Sequence, residues 1–208
     1  MDQAELTLYT HPHSRGRIAR WALEETGLPY RTQYLDYGAS MKSADYLAIN
    51  PMGKVPALTH GQTVVTENAA IAMYLADLVP GKALAPPLGS PERGSYYRWI
   101  SFMGPLEQAM MAKASGASPP PPMQAGFGAV DDTANALEAA IGDRDYLAGD
   151  RFTMADLLVA ASLGWYLQFK LLDARPSFVR YAQLHAQRPA AVRANAIDDA
   201  QMAGQATG

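Results

Sequence analysis

The sequence contains no cysteine. That excludes a disulfide scaffold, a thiolate zinc site and any mechanism in which a protein thiol is the nucleophile. Charge is also sparse. Charged residues make up 18% of 208, and 17 Lys and Arg nearly balance 20 Asp and Glu, for a net charge of -3. Residues 1–80 carry 6 basic and 8 acidic side chains, and residues 81–208 carry 11 and 12. Neither part has the basic excess that nucleic acid or an anionic membrane attracts, so neither is expected as a partner. A long apolar run is missing too. The most apolar stretch, Met154 to Leu172, is broken by Asp156, Gln168 and Lys170, and it reads as a buried core helix rather than a membrane span. Met1 to Glu5 is acidic, with no apolar segment of the signal type, so the expected location is the cytoplasm.

What the chain does have is apolar material. Hydrophobic residues make up 49%, enough for the core of one ordinary domain or two small ones. The first 80 residues alternate strand and helix signals. Glu5 to Thr10 sets Leu6 and Leu8 against polar neighbours as a strand, and Ser14 to Thr26 has helical spacing closed by Gly27 and Pro29. Tyr30 to Asp36 is a second strand and Ala44 to Ile49 a short helix. Ala57–Thr59 and Thr63–Thr66 form a hairpin, and Glu67 to Leu78 is a helix. This order requires one parallel crossover followed by an antiparallel end, hence a small mixed sheet with helices on its faces. Residues 80–91 hold four prolines and form a linker. Beyond it the pattern is helical: 92–113, 124–141, 153–169, 177–187 and 190–200, with Gly104-Pro105 a kink signal, Ser118 to Pro122 a stiff loop and 203–208 a frayed end. The expected fold is α/β followed by all-α, with domains at 1–79 and 92–208.

Three segments carry chemistry. Tyr9 to Arg17 lies between a strand end and a helix start. Ser14 is its N-cap candidate, and the same geometry favours an anion at the helix start. Asn50 to Leu58 is a turn before a strand. Pro56 is tolerable only at the strand's first position or at an edge, and a cis Val55–Pro56 bond would leave the Val55 N–H and C=O free for an extended ligand. Glu67 and Asn68 open a helix. They read either as capping residues or as a polar pocket, with a carboxylate for an ammonium and amide donors for a carboxylate. His11 and His13 lack a carboxylate spaced to complete a metal site, so no metal is expected. Met103, Met110 and Met111 lie near one face of a long helix, either as core or interface or as an adaptable apolar wall. His11, His13, Tyr96 and Trp165 are further wall candidates.

Taken in order, these segments resemble the cytosolic glutathione transferases. The resemblance extends to the proline linker and to Tyr146 through Asp156, where Thr153 and Asp156 have capping-box spacing. It implies a thioredoxin-like N-terminal domain, an all-helical C-terminal domain contributing an electrophile site, and a homodimer using glutathione as co-substrate. Carried over by position, Ser14 is the catalytic residue that hydrogen-bonds the glutathione sulfur. Val55, ahead of a cis Pro56, pairs with the cysteinyl backbone, and Glu67 and Asn68 hold the γ-glutamyl end. Lys54 and Lys42 neutralise the glycyl carboxylate. Tyr9 is a rival for the sulfur. The serine-type loop resembles theta, zeta or delta classes. Two positions depart from the pattern: Asn68 stands where serine is common, and Met41 where several classes place a histidine. The implied activity is transfer of glutathione to small apolar electrophiles. The alternatives are glutathione-dependent disulfide reduction or peroxidase action, a zeta-like isomerisation, or ligand binding without catalysis.

Overall fold

The computed structural model describes residues 5–116, 118 and 120–205. The chain divides into two compact units. One runs to Lys82 and includes the residues from Arg188 onward; the other spans Ala83–Gln187.

The first unit holds strands β1 (Leu6–Thr10), β2 (Tyr30–Tyr34), β3 (Ala57–His60) and β4 (Thr63–Thr66) in the order β2-β1-β3-β4. β1 pairs parallel with β2 across the crossover helix α1 (Gly16–Thr26), and β3 pairs antiparallel with both β1 and β4. The two remaining helices of its N-terminal part are α2 (Ala44–Ile49) and α3 (Asn68–Leu78). This is the thioredoxin-like mixed sheet. Alternation along β1 divides the core. Leu6 and Leu8 are buried among the apolar residues of this unit, while Tyr9 packs against a cluster of Leu35, Met41, Tyr46 and Ala57.

The second unit is helical: α4 (Pro91–Ala114), α5 (Val130–Ile141), α6 (Met154–Gln168) and α7 (Pro176–Ala186). α4 begins on a Ser90 cap and continues through Pro105. The capping box at Thr153 is present, and Asp156 is fully buried. One carboxylate oxygen accepts from the Thr153 N–H (2.7 Å) and hydroxyl (2.9 Å). The other accepts from the Leu147 N–H (2.7 Å) and the Tyr181 hydroxyl. The run from Tyr146 to Asp156 is therefore folding apparatus.

Three elements differ from the sequence reading. α5 starts at Val130, not at 124, because residues 121–128 form successive turns ending at Gly128 with φ +71°. The strand expected to reach Asp36 ends at Tyr34. The last helix, α8 (Pro189–Gln205), is longer than expected and packs on α1 within the first unit, not among the helices of the second. Of the expected stiff loop, Pro119 lies outside the described residues, as do residues 206–208 of the expected frayed end.

The α1–α8 contact is a series of charge pairs in antiparallel register. Arg17 meets Asn195 and Asp199, Arg20 meets Asp198, Glu24 meets Arg193, and Glu25 meets Arg188. The central pair is buried. Arg20 is 1% and Asp198 0% exposed, with Nε to Oδ1 at 2.9 Å. The guanidinium also donates to the Tyr30 and Tyr34 hydroxyls (both 3.2 Å) and to Thr32 Oγ1 (3.0 Å), three residues on one face of β2. Burial lifts the Asp198 pKa above the ordinary carboxylate value, and the neighbouring Arg20 only partly offsets it. Replacing Asp198 with Ala strands a buried guanidinium, so urea titration should show a loss of about 3–5 kcal/mol. Replacing both partners, Arg20→Met with Asp198→Leu, should recover most of that loss. A double variant no better than the single one would contradict this account.

Candidate functional site

The loop after β1 is built by its own side chains. Ser14 is 6% exposed. Its Oγ donates to the His11 carbonyl (2.7 Å) and accepts from the Gly16 N–H (2.9 Å), while its own N–H also donates to the His11 carbonyl (3.0 Å). Ser14 is not the N-cap. That position is Arg15, whose side chain makes no capping bond. The first-turn donors are also already engaged. Gly16 N–H goes to Ser14 Oγ, Arg17 N–H to the Ser14 carbonyl, and Ile18 N–H to the Arg15 carbonyl. The helix start therefore offers an anion its dipole, and Ser14 offers one hydroxyl, but the first-turn N–H groups have partners.

Gly16 permits this packing. A Cβ there would lie 1.9 Å from Thr10 Oγ1 and 3.0 Å from Ser14 Oγ. Thr10 Oγ1 is itself buried and has no hydrogen-bond partner among the described residues.

The second segment forms a turn around Asn50, and the Val55–Pro56 peptide bond is cis. Asn50 is buried. Its Nδ2 donates to the Lys54 carbonyl (2.8 Å), its Oδ1 accepts from the Met52 N–H (3.2 Å), and its own carbonyl accepts from the Gly53 N–H (2.8 Å). The Tyr46 hydroxyl also donates to the Lys54 carbonyl. Asn50 and Tyr46 were not among the sequence candidates, although the Asn-Pro pair is a turn signal. Lys42 folds over the same turn, its Nζ 2.9 Å from the Met52 carbonyl, and both Lys42 and Lys54 are exposed. Met41 is buried in the cluster with Tyr46.

The third segment is strained. Glu67, the N-cap of α3, has φ 67° and ψ 125°, in the left-handed half of the map that non-glycine residues avoid, and its carboxylate makes no capping bond. Such strain costs about 1–3 kcal/mol and concentrates at functional sites. Asn68 Nδ2 donates to the Arg15 carbonyl (3.2 Å), which ties α3 to the serine loop, and its Oδ1 is buried without a partner among the described residues. Asn68 thus presents an acceptor oxygen and, on Nδ2, a second N–H. Of the donors that the sequence reading assigned to a carboxylate, one amide N–H is committed to the loop.

The structure thus brings Ser14 and Asn68 together through Arg15, and Val55, Lys54 and Lys42 together through the Asn50 turn. Tyr9 packs instead against Tyr46, ring centroids 5.6 Å apart. The methionines do not share one face. Met110 is fully buried, Met111 is exposed, and Met103 accepts from the Ser162 hydroxyl. Tyr96 is buried and Trp165 packs on Phe169. A cavity of about 390 Å³ lies at the opposite end of the sheet, lined by Leu6, Leu28, Pro29, Tyr30, His60 and Leu78 among others, and touches none of these groups. Among the described residues there is no cluster of three or more His, Asp or Glu suited to a metal, and no helix long and apolar enough to cross a membrane.

The serine loop, the cis-proline turn and the strained helix start lie within residues 4–77, which match the sequence model of the glutathione S-transferase N-terminal domain; residues 108–189 match that of the C-terminal domain. The chain belongs to the glutathione S-transferase family. Glutathione S-transferase GST-4.5 of Xanthomonas campestris is 30% identical over 175 residues, 77% of this chain and 82% of that protein. Glutathione S-transferase GstA of Escherichia coli O157:H7 is 30% identical over 148 residues, 70% of this chain and 74% of that one. A sphingomonad glutathione S-transferase solved in complex with glutathione is 32% identical, with TM-score 0.77 over 93% of this chain and 98% of that one. This glutathione transferase therefore has both domains of its family and an enzymatic lineage.

The Gly16 contact gives a test. Gly16→Ala should destabilise the protein by about 1–3 kcal/mol, as overpacking does. Adding Thr10→Ala, which removes the 1.9 Å contact, should restore at least half in a double-mutant cycle. Simple additivity would show that the two residues do not meet.

Proposed function

We propose that this glutathione transferase joins the glutathione thiolate to small apolar electrophiles, with Ser14 as the residue that stabilises the sulfur. The observation that carries the reading is the bond from Asn68 to the Arg15 carbonyl. It joins the residues assigned to the γ-glutamyl end to the loop bearing a buried seryl hydroxyl, as one tripeptide ligand requires. Glu67, with a carboxylate not used in capping, and the acceptor Oδ1 of Asn68 suit the glutamyl ammonium. Val55 pairs with the cysteinyl backbone beside Pro56, and Lys54 and Lys42 face the glycyl carboxylate. The sphingomonad relative solved with glutathione supports the choice of ligand. A homodimer, a cytoplasmic setting and residues 1–79 as the glutathione-binding domain belong to the same proposal.

A free thiol with a pKa of about 8.5 is roughly 3% ionised at pH 7. Lowering it by about two units requires roughly 2.7 kcal/mol. A hydrogen bond to a charged partner contributes about 1.5–3 kcal/mol, but Ser14 must first turn its proton away from the His11 carbonyl, giving up about 0.5–1.5. The seryl bond alone falls short, and the α1 dipole, worth about 0.3–1 kcal/mol, narrows the gap. The thiolate then attacks the electrophilic carbon. A C–S bond forms, the bond to the leaving group breaks, and that group departs with the electron pair. Ser14 gives up no proton, and holding both reactants in register supplies the entropic part of the acceleration.

Ser14→Ala should lower turnover with an activated aromatic halide about 10- to 100-fold. Glutathione affinity should change less than about threefold, and the ultraviolet thiolate band of bound glutathione should titrate at higher pH. Turnover equal to the parent, or a thiolate midpoint unchanged by the substitution, would refute the assigned role. A small disulfide assayed in parallel separates conjugation from reduction.

A further inference from the structure

The serine loop carries a second device, which rests on the Ser14 reading above. His11 Nδ1 accepts the N–H of His13 (3.1 Å). Nδ1 is bonded to Cγ, just as Oδ1 is in asparagine, so the ring closes the turn that an Asx residue closes with its side-chain oxygen. The same residue's carbonyl holds both the N–H and the hydroxyl of Ser14. Tyr37, from the segment after β2, secures the loop from outside. Its ring lies 4.5 Å from the His11 ring, and its hydroxyl donates to the His13 carbonyl (3.2 Å). A backbone N–H can donate to Nδ1 only if that nitrogen bears no proton, so the turn selects the neutral Nε2–H form.

We propose that His11 is a positioning residue for Ser14: neutral, it closes the turn that holds the His11 carbonyl on the Ser14 N–H, which keeps the residue in place when its hydroxyl turns to the sulfur; protonated at Nδ1, it releases the His13 N–H and loosens that hold. The groups around the ring act in both directions. His13, its ring 5.7 Å away, opposes a second positive charge, Asp36 favours one, and the Tyr37 ring packs on the imidazole at a 51° tilt. Partial burial, then His13, outweigh Asp36 and hold the His11 pKa below its ordinary value. The sign follows. Between the folded pKa and the higher unfolded one the unfolded chain binds more protons, so stability rises with pH through that window and is lost as pH falls through it.

The variants His11→Asn and His11→Phe separate the acceptor from the ring. Asn keeps an acceptor at the same atom and does not titrate; Phe keeps the ring contact with Tyr37 and has no acceptor. In the ligand-free protein, NMR titration from pH 8 to 5 should show the His13 and Gly16 amide signals moving with the His11 ring signal. In His11→Asn both amides should stay still through that inflection. Glutathione's own ionisation affects both proteins alike, so the parent-to-Asn turnover ratio isolates His11. It should fall about 3- to 10-fold between pH 7.5 and 5.5. His11→Phe should be impaired at every pH. Amides that ignore the ring titration would overturn the switch whatever the activity. Titrating amides beside a flat turnover ratio, or a fully active Phe variant, would overturn the positioning role. A protein with titrating amides and no turnover at any pH would instead overturn the conjugation reading and leave the switch standing.

Discussion

The serine loop of the first unit depends on where α1 begins, and α1 is seated by Arg20. A guanidinium has five donors in a fixed fork. Here the fork reaches Asp198 on α8 and Tyr30, Thr32 and Tyr34 on β2, so one side chain fixes the helix against the sheet and the C-terminal helix together. Burying both charges costs several kcal/mol in desolvation, and the raised Asp198 pKa carries that cost. The interaction's contribution is therefore register more than net stability. If α1 rotated or slid by one residue, the fork would lose its partners on β2, whose side chains alternate between faces. The outer pairs, Arg17 with Asp199 and Glu24 with Arg193, are exposed on at least one side and add little energy individually. They repeat the same register in charge.

A seated helix fixes the start of its first turn, and the loop before it is then constrained from two directions. On the sheet side, Thr10 and Gly16 meet so closely that no side chain fits at 16. On the α3 side, Asn68 holds the Arg15 carbonyl. Gly53 plays the corresponding part in the Asn50 turn. With φ +56° and a Cβ that would lie 2.6 Å from the Met41 carbonyl, it lets the chain pass under Lys42. Both segments thus rely on close backbone approach at one glycine and on a buried amide, Asn68 or Asn50, that pins a neighbouring carbonyl.

Much of this organisation is legible in the residues. The alternation of Leu6 and Leu8, the Gly27 stop of α1 and the hairpin at 57–66 are short-range signals, and the mixed sheet follows from their order. The Thr153–Asp156 box is a fixed spacing with one structural meaning. Other features are decided by partners distant in sequence. Ser14 has the residue type of an N-cap, yet the helix begins one residue later, because its hydroxyl is satisfied by His11 and Gly16. Asn68 offers donors and an acceptor in sequence; only contact with Arg15, 53 residues away, decides that one of its N–H groups is committed to the loop. The placement of α8 could not be read from its pattern, since Asp198 and Asp199 look like solvated charges until Arg17 and Arg20 stand opposite them. Met110 and Met111 are adjacent in sequence but differ in burial, so a methionine stripe does not by itself mark a ligand wall.

In the proposed reaction, the commitment of Ser14 to His11 changes what the loop must do to stabilise a thiolate. Were the hydroxyl idle, its full charge-assisted bond would go to the sulfur. Because it already donates inward, the gain is the difference between two bonds, and weakening the inner bond raises that difference. Loosening the turn has an opposing cost: a hydroxyl no longer held in place spends rotational freedom to meet the sulfur, and the orientation on which the transfer depends is lost. A turn closed by a neutral imidazole lies between these limits, since it orients the carbonyl that receives the hydroxyl without placing a formal charge beside the sulfur. An imidazolium at His11 would add a favourable charge near a thiolate but would break the turn. The low exposure of Ser14 and the depressed His11 pKa both favour the closed arrangement.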